Sequence, residues 1–354
     1  MQRIIAFVTL LTISLVQVPA AWAFETDQYN LPPVPLADIG DEVAEYTAEN
    51  IRAAVIKINK EIEEPQNCHS QRCETENAER MAYLRSESAV AREVYKRLGY
   101  GLIVFAKAGS WMDSHRFRAQ PARYKTSYRR SIYASLPTNY FTISPTVNLY
   151  GTNMGTDKIA HFFQQGYTYY KIFTRELSKG STELDAIDKA TAWGKMTEHT
   201  YYGTLVGGVF SNADLAANYA GMKFYEGLTK PVTIGGYIRP TTLVLKNGKW
   251  ALNEGELNQD NLLRPFITEH LNEALNPSVL APGLRSAVRA AVRKQSCSQW
   301  IALDPMRTKD DLEKTTAELR LWHGEAYGFK MSEKFVTIAN TCFAQVNRQP
   351  KSDG

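Results

Sequence analysis

Apolar residues recur every three or four positions over most of the chain, so helix is the dominant expectation. Ile51, Val55, Ile58 and Ile62 mark one helix over Ala37–Glu64, which Pro65 ends. An Ala-, Arg- and Glu-rich stretch predicts a second over Glu74–Leu98, stopped by Gly99. Two more follow in "GTDKIAHFFQQGYTYYKIF" and, from Ser181, in "TELDAIDKATAWGKMTEHTYYGTL". "SNADLAANYAGMKFYEGL" predicts another, with Gly227 near its end. Later stretches at Leu262–Leu275, Leu284–Lys294, Lys309–Trp322 and Ser332–Ala344 read the same way. One segment departs from this period. "TTLVLKNGKWALN" places Asn247-Gly248 between two short alternating runs, the dipeptide a type I′ hairpin turn requires. The expected fold is mainly α, a helical bundle with a small β-hairpin near 241–253.

The N-terminus breaks the globular pattern. Arg3 precedes an apolar run from Ile4 to Val16, and Ala21-Trp22-Ala23 gives the small-x-small pattern of a signal-peptidase site. We expect a signal peptide over 1–23 and a periplasmic or secreted chain from Phe24. Residues 24–154 then form an N-terminal helical region carrying a basic–aromatic segment, and 155–354 a helical core with the hairpin and C-terminal helices. The four cysteines fit an oxidising compartment, with Cys68 paired to Cys73 and Cys297 to Cys342. His69, inside "CHSQRC", leaves a zinc site as the alternative.

Charge is uneven. Phe24 to Glu64 carries ten acids against three bases, while Ser114 to Thr156 carries six Lys/Arg and no acid. The basic run "HRFRAQPARYKTSYRR" interleaves Phe117, Tyr124 and Tyr128, so the Arg116–Arg130 segment could meet an anionic envelope component or membrane surface. The alternative is a solvated loop facing the acidic first helix. Net charge is only +4, which gives no reason to expect nucleic acid.

Candidate chemistry collects in three places. Asp157 and His161 stand four apart on one helix face. Glu198 sits in an otherwise uncharged stretch. Ser211, Asp214, Asn218 and Gly221 recur at helical spacing, and Gly221 would admit a close neighbouring helix. Local explanations exist: Ser211 with Asp214 reads as a capping box, Asp157 as a first-turn anion favoured by the helix dipole, and His161 as a core histidine. They leave Glu198 and Asn218 unexplained among apolar neighbours, because buried polar groups require partners. Asp157, His161, Glu198, Asp214 and Asn218 are therefore expected to form one polar centre between three helices. Hard oxygen and nitrogen groups of this kind suit a divalent metal that activates water, or a carboxylate-oriented His161 acting as general base. The residues name no cofactor or metal.

The order "DKIAHF", then an acid, then S-x-x-D-x-x-x-N-x-x-G resembles VanZ-like and related small envelope proteins of unknown function. The resemblance spans Asp157 to Gly221 and touches Asp157, Lys158, His161, Glu198, Asp214, Asn218 and Gly221. Tyr201 stands where that family has Gln, and "GGVF" replaces its Pro/Arg-containing loop. That family is embedded in the membrane, whereas these helices are too polar to span. The resemblance implies an envelope context and no particular reaction. The expectation is an exported envelope-associated helical protein; the alternative is a metal-dependent or His-based hydrolase acting on a lipid, phosphoester or cell-wall substrate.

Overall fold

The computed structural model describes residues 25–64, 69–101, 106–134, 143–200, 203–234, 236–319 and 335–343. The expected signal peptide and Cys68 lie outside the described residues, as do parts of the last two expected helices. The fold is mainly α, with two-stranded sheets only among the described residues. In chain order the elements used below are β1 (Glu25–Thr26), α1 (Gly40–Glu63), α2 (Gln71–Leu84), α3 (Glu87–Leu98), α4 (Lys107–Ser114), β2 (Ile143–Ser144), β3 (Thr146–Leu149) and β4 (Thr152–Gly155). They continue with α5 (Thr156–Ser178), α6 (Glu183–His199), β5 (Val209–Phe210), α7 (Asn212–Glu226), β6 (Val232–Ile234), β7 (Tyr237–Arg239), β8 (Leu243–Lys246), β9 (Lys249–Leu252), β10 (Val279–Leu280), α8 (Pro282–Gln295), α9 (Cys297–Leu303) and α10 (Lys309–Glu318).

Helices α5 and α7 form the centre. Every residue from Thr156 to Tyr167, and from Asn212 to Tyr225, is buried. A helix that is apolar nearly all round belongs inside a protein, and the few polar residues it carries must be paired there. Contacts advance together along the two helices: Lys158 meets Asp214, His161 meets Asn218, and Gly166 meets Gly221. The helices therefore run parallel, with both N-termini at the same end, and α6 makes the return. Phe162, Phe163, Phe224 and Phe266 pack around the pair, edge-on except for the tilted Phe162–Phe224 contact. The backbones meet at Gly166 and Gly221, where a Cβ on Gly221 would overlap the Phe162 carbonyl. This is the close approach Gly221 was expected to allow.

Several local expectations change. The stretch from Glu74 to Leu98 is two helices, because the Ser86 hydroxyl accepts from the Ala89 N–H and starts α3 afresh. Leu262–Leu275 is not one helix. It contains single 3₁₀ turns at Arg264–Phe266 and Glu269–Leu271, and the Asn272 side chain takes the N–H groups of Ala274 and Leu275. An Asn that binds the following backbone competes with helix continuation. The β8–β9 hairpin forms as expected, with positive φ at both Asn247 and Gly248. A second hairpin, β3–β4, turns at Tyr150 and Gly151, both also at positive φ. Tyr is an unusual residue there. Asp38 holds it by accepting from the Tyr150 and Gly151 N–H groups, while the Tyr150 hydroxyl donates to the Gly40 carbonyl. Helix α4 was not expected.

Part of the basic segment lies against the acidic first helix. The Arg118 N–H donates to Glu42, its guanidinium pairs with Glu45 at 2.9 Å, and His115 lies 3.5 Å from Glu42. Arg116, Lys125, Arg129 and Arg130 remain exposed.

A smaller core joins the N-terminal segment to the C-terminal helices. Tyr29 donates to the Val336 carbonyl at 2.6 Å, and the Trp300 indole donates to the Tyr29 carbonyl at 2.8 Å. The Cys297–Cys342 disulfide closes this unit over 45 residues. Cys73 is also disulfide-bonded. In the chain-entropy model a loop of that length contributes about 4 kcal/mol. Replacing both Cys297 and Cys342 by serine is expected to lower unfolding free energy by about that amount, read from urea unfolding followed by tryptophan emission. A loss below about 1 kcal/mol would contradict this.

Candidate functional site

The common N-terminal end of α5 and α7 carries a cluster of charge. Exposed N–H groups and the helix dipole make this end electropositive, which favours acids in the first turns. Asp157 and Asp214 occupy those turns. The side chain between them is Lys158, fully buried, its Nζ 2.6 Å from Asp157 Oδ2, Asp214 Oδ1 and Glu273 Oε1. Three carboxylates thus share one ammonium: Lys158 donates to Asp157 Oδ2, while Asp214 Oδ1 stands at ion-pair distance without hydrogen-bond geometry.

A layer of neutral donors surrounds these ions. Thr26, on β1, donates to Asp157 Oδ1 at 2.6 Å. Ser211 and Ser278 donate to the two oxygens of Glu273 at 2.6 and 2.5 Å. The Glu273 N–H donates to Gln28 at 2.7 Å. His161 lies with one ring nitrogen 3.1 Å from Asn218 Oδ1 and the other 3.4 Å from Asp214 Oδ2.

The capping-box expectation is half met. Ser211 caps α7 by accepting from the Asp214 N–H at 3.0 Å. The reciprocal bond, from the Ser211 N–H, goes to Glu198 Oε1 at 2.9 Å and not to Asp214. An acid from the end of α6 completes the cap and frees the Asp214 carboxylate for Lys158 and His161.

All five expected residues are therefore at this end of the bundle. Asp157, His161, Asp214 and Asn218 are joined directly or through Lys158, and Glu198 joins through Ser211. Five participants were not expected: Glu25, Thr26, Gln28, Glu273 and Ser278. Lys158 was visible in "DKIAHF" as an ammonium in an apolar helix but was given no role.

The electrostatics are unusual. Five buried carboxylates (Glu25, Asp157, Glu198, Asp214 and Glu273) surround one lysine. Burial pushes the Glu25 and Glu198 carboxyls well above the usual carboxylate range, and neighbouring acids add to this. Glu273 is raised for the same first reason, against the pull of Lys158. Burial alone would lower Lys158, but Asp157, Asp214, Glu273 and Glu25 outweigh it and hold the ammonium well above its ordinary value.

A cleft of about 240 Å³ approaches from β4 and is lined in part by Gln28, Asn153, Asn272, Trp300 and Arg307. Gln28 and Asn272 both donate to the Asn153 carbonyl, and Gln28 also accepts from Glu273, so this wall is one residue removed from the charged centre. No family model matches the chain, and neither the curated proteins nor the solved structures give a match.

Proposed function

We propose that the chain is an exported, envelope-associated helical protein whose charged centre is architectural and whose activity is binding. One observation carries this: Lys158 and the three carboxylates it touches are held chiefly by one another and by neighbouring hydroxyls. Lys158 serves three carboxylates, Asp157 also takes Thr26, and Glu273 takes Ser211 and Ser278. The N-terminal sequence pattern, the Cys297–Cys342 disulfide and the VanZ-like spacing support the envelope setting. Among the described residues no helix is long and apolar enough to cross a membrane. The exposed Arg116, Lys125, Arg129 and Arg130 are the groups that would meet an anionic envelope surface, since Arg118 is already paired to α1.

A second reading, a metal-dependent or His-based hydrolase, is favoured by His161 beside Asp214 and by the surplus of carboxylates. Two substitutions separate the readings. If the centre is architectural, Asp157→Asn and His161→Gln lower the melting temperature by several degrees, since each leaves a buried partner unsatisfied at a cost of about 1–3 kcal/mol. Thermal unfolding by circular dichroism reads this. An unchanged melting temperature, with loss of hydrolysis in a screen of ester and phosphoester substrates, supports the hydrolase.

A further inference from the structure

The carboxylates of this centre fall into two overlapping triads. Asp157, Asp214 and Glu273 bring one oxygen each within 4.8 Å of one another, as do Glu25, Glu198 and Asp214. The first triad surrounds the Lys158 ammonium. In the second, among the described residues, neither Glu25 nor Glu198 has a lysine, arginine or histidine in ion-pair contact. Glu25 is only 2 % exposed, and its Oε2 atom has no hydrogen-bond partner. A buried carboxylate oxygen without a donor is costly unless a positive charge or a proton reaches it. The triad is held from three directions: Glu25 by β1, which pairs with β2, Glu198 by the end of α6, and Asp214 by the first turn of α7.

We propose that Glu25, Glu198 and Asp214 bind a hard divalent cation of the calcium, magnesium or manganese class. Oxygens no more than 4.8 Å apart can reach one ion at the about 2.3–2.6 Å of calcium–oxygen bonds. An all-oxygen donor set selects such ions over zinc or copper. The cation is the counterpart of Lys158: two positive centres, one covalent and one bound, divide five carboxylates between them. Asp214 belongs to both triads and links them.

This ligand set differs from the one a hydrolase built on Asp157 and His161 would use. Asp157 and His161 take no part in it, and Asp214, which also meets Lys158 and His161, is the one residue the two sets share. The inference goes beyond both functional readings, since the ion can hold the bundle together whether or not the protein catalyses anything.

The test uses the full chain as isolated and after chelator treatment, with Ca²⁺, Mg²⁺ or Mn²⁺ added both to the folded protein and during refolding. Expected are a single tightly held divalent cation per chain by elemental analysis, a melting temperature that falls on chelation and returns with the ion, and Tb³⁺ luminescence sensitised by buried tyrosines. Glu25→Gln is expected to weaken binding about tenfold or more. Should that variant fail to fold, Glu25→Asp keeps the charge but withdraws the oxygen by one methylene, and it must weaken binding with an unchanged far-ultraviolet spectrum. Absence of any bound cation with no response to the three ions overturns the proposal. So does binding that neither Glu25 variant weakens, which would place the ion elsewhere, for example on the acidic face of α1.

Discussion

Replacing Lys158 by methionine is expected to destabilise the protein by about 3–5 kcal/mol or more, enough to lower the melting temperature by on the order of 10 °C. Methionine matches the lysine stem in length and apolar character, so packing is largely kept. The ammonium is not, and Asp157, Asp214 and Glu273 are left facing one another with no cation between them. Removing one partner of a buried ion pair is far more damaging than replacing both, because the orphaned charge retains its desolvation cost. Here three partners are orphaned together. Low pH, which relieves repulsion between carboxylates, is expected to recover part of the loss. The comparison Lys158→Met with Asp214→Asn sharpens the test. The double variant removes one of the repelling carboxylates and is expected to lose less than the sum of the single variants. Urea unfolding at neutral and at acidic pH reads all three. A loss below about 1 kcal/mol for Lys158→Met would mean that the ammonium contributes little net stability and that the cluster is not architectural.

The parts of this centre that follow helical periodicity were legible in the sequence. Asp157 and His161 stand out because a spacing of four puts them on one face of an apolar helix, and Asp214 and Asn218 repeat the spacing on the next such helix. Glu198 stood out as an acid with no charged neighbour, although its role as the distant half of the α7 cap depends on how α6 returns. What the sequence concealed sits outside helices. Glu25 and Thr26 lie on a two-residue strand, and Thr26 meets Asp157 across 131 residues. Glu273 lies within Leu262–Leu275, a stretch expected to be one helix. Turns at Arg264–Phe266 and Glu269–Leu271 break that helix and leave Glu273 fully buried. Periodicity carries no information about such positions, because their direction is set by side chain-to-backbone bonds such as those of Asn272. The same limit hid β3–β4, where Tyr150 holds a conformation that Gly or Asn usually marks.

Gly221→Ala is expected to lower unfolding free energy by about 2 kcal/mol or more, although the same change in an exposed helix raises it. Alanine is favoured over glycine in a helix interior by about 1 kcal/mol. That gain applies at Gly221, but its Cβ would enter the Phe162 carbonyl and press toward Gly166. Both obstacles are backbone, so no side chain can rotate out of the way, and α7 must move off α5. Overpacking of this kind costs about 1–3 kcal/mol and sometimes more. The movement matters beyond packing, because Asp214 and Asn218 ride on α7 while Lys158 and His161 ride on α5. Separating the helices lengthens Lys158–Asp214 and His161–Asn218 together, so Gly221→Ala and Lys158→Met are expected to be less than additive. Gly283 provides the control. It lies in the first turn of α8, and a Cβ there would meet nothing within 4 Å. Gly283→Ala is expected to be neutral or to stabilise by up to about 1 kcal/mol. Equal effects at the two glycines in urea unfolding would show that helix propensity, and not contact between α5 and α7, decides position 221. A large loss at Gly221 alone would show that the contact sets the distance across which the charged centre closes.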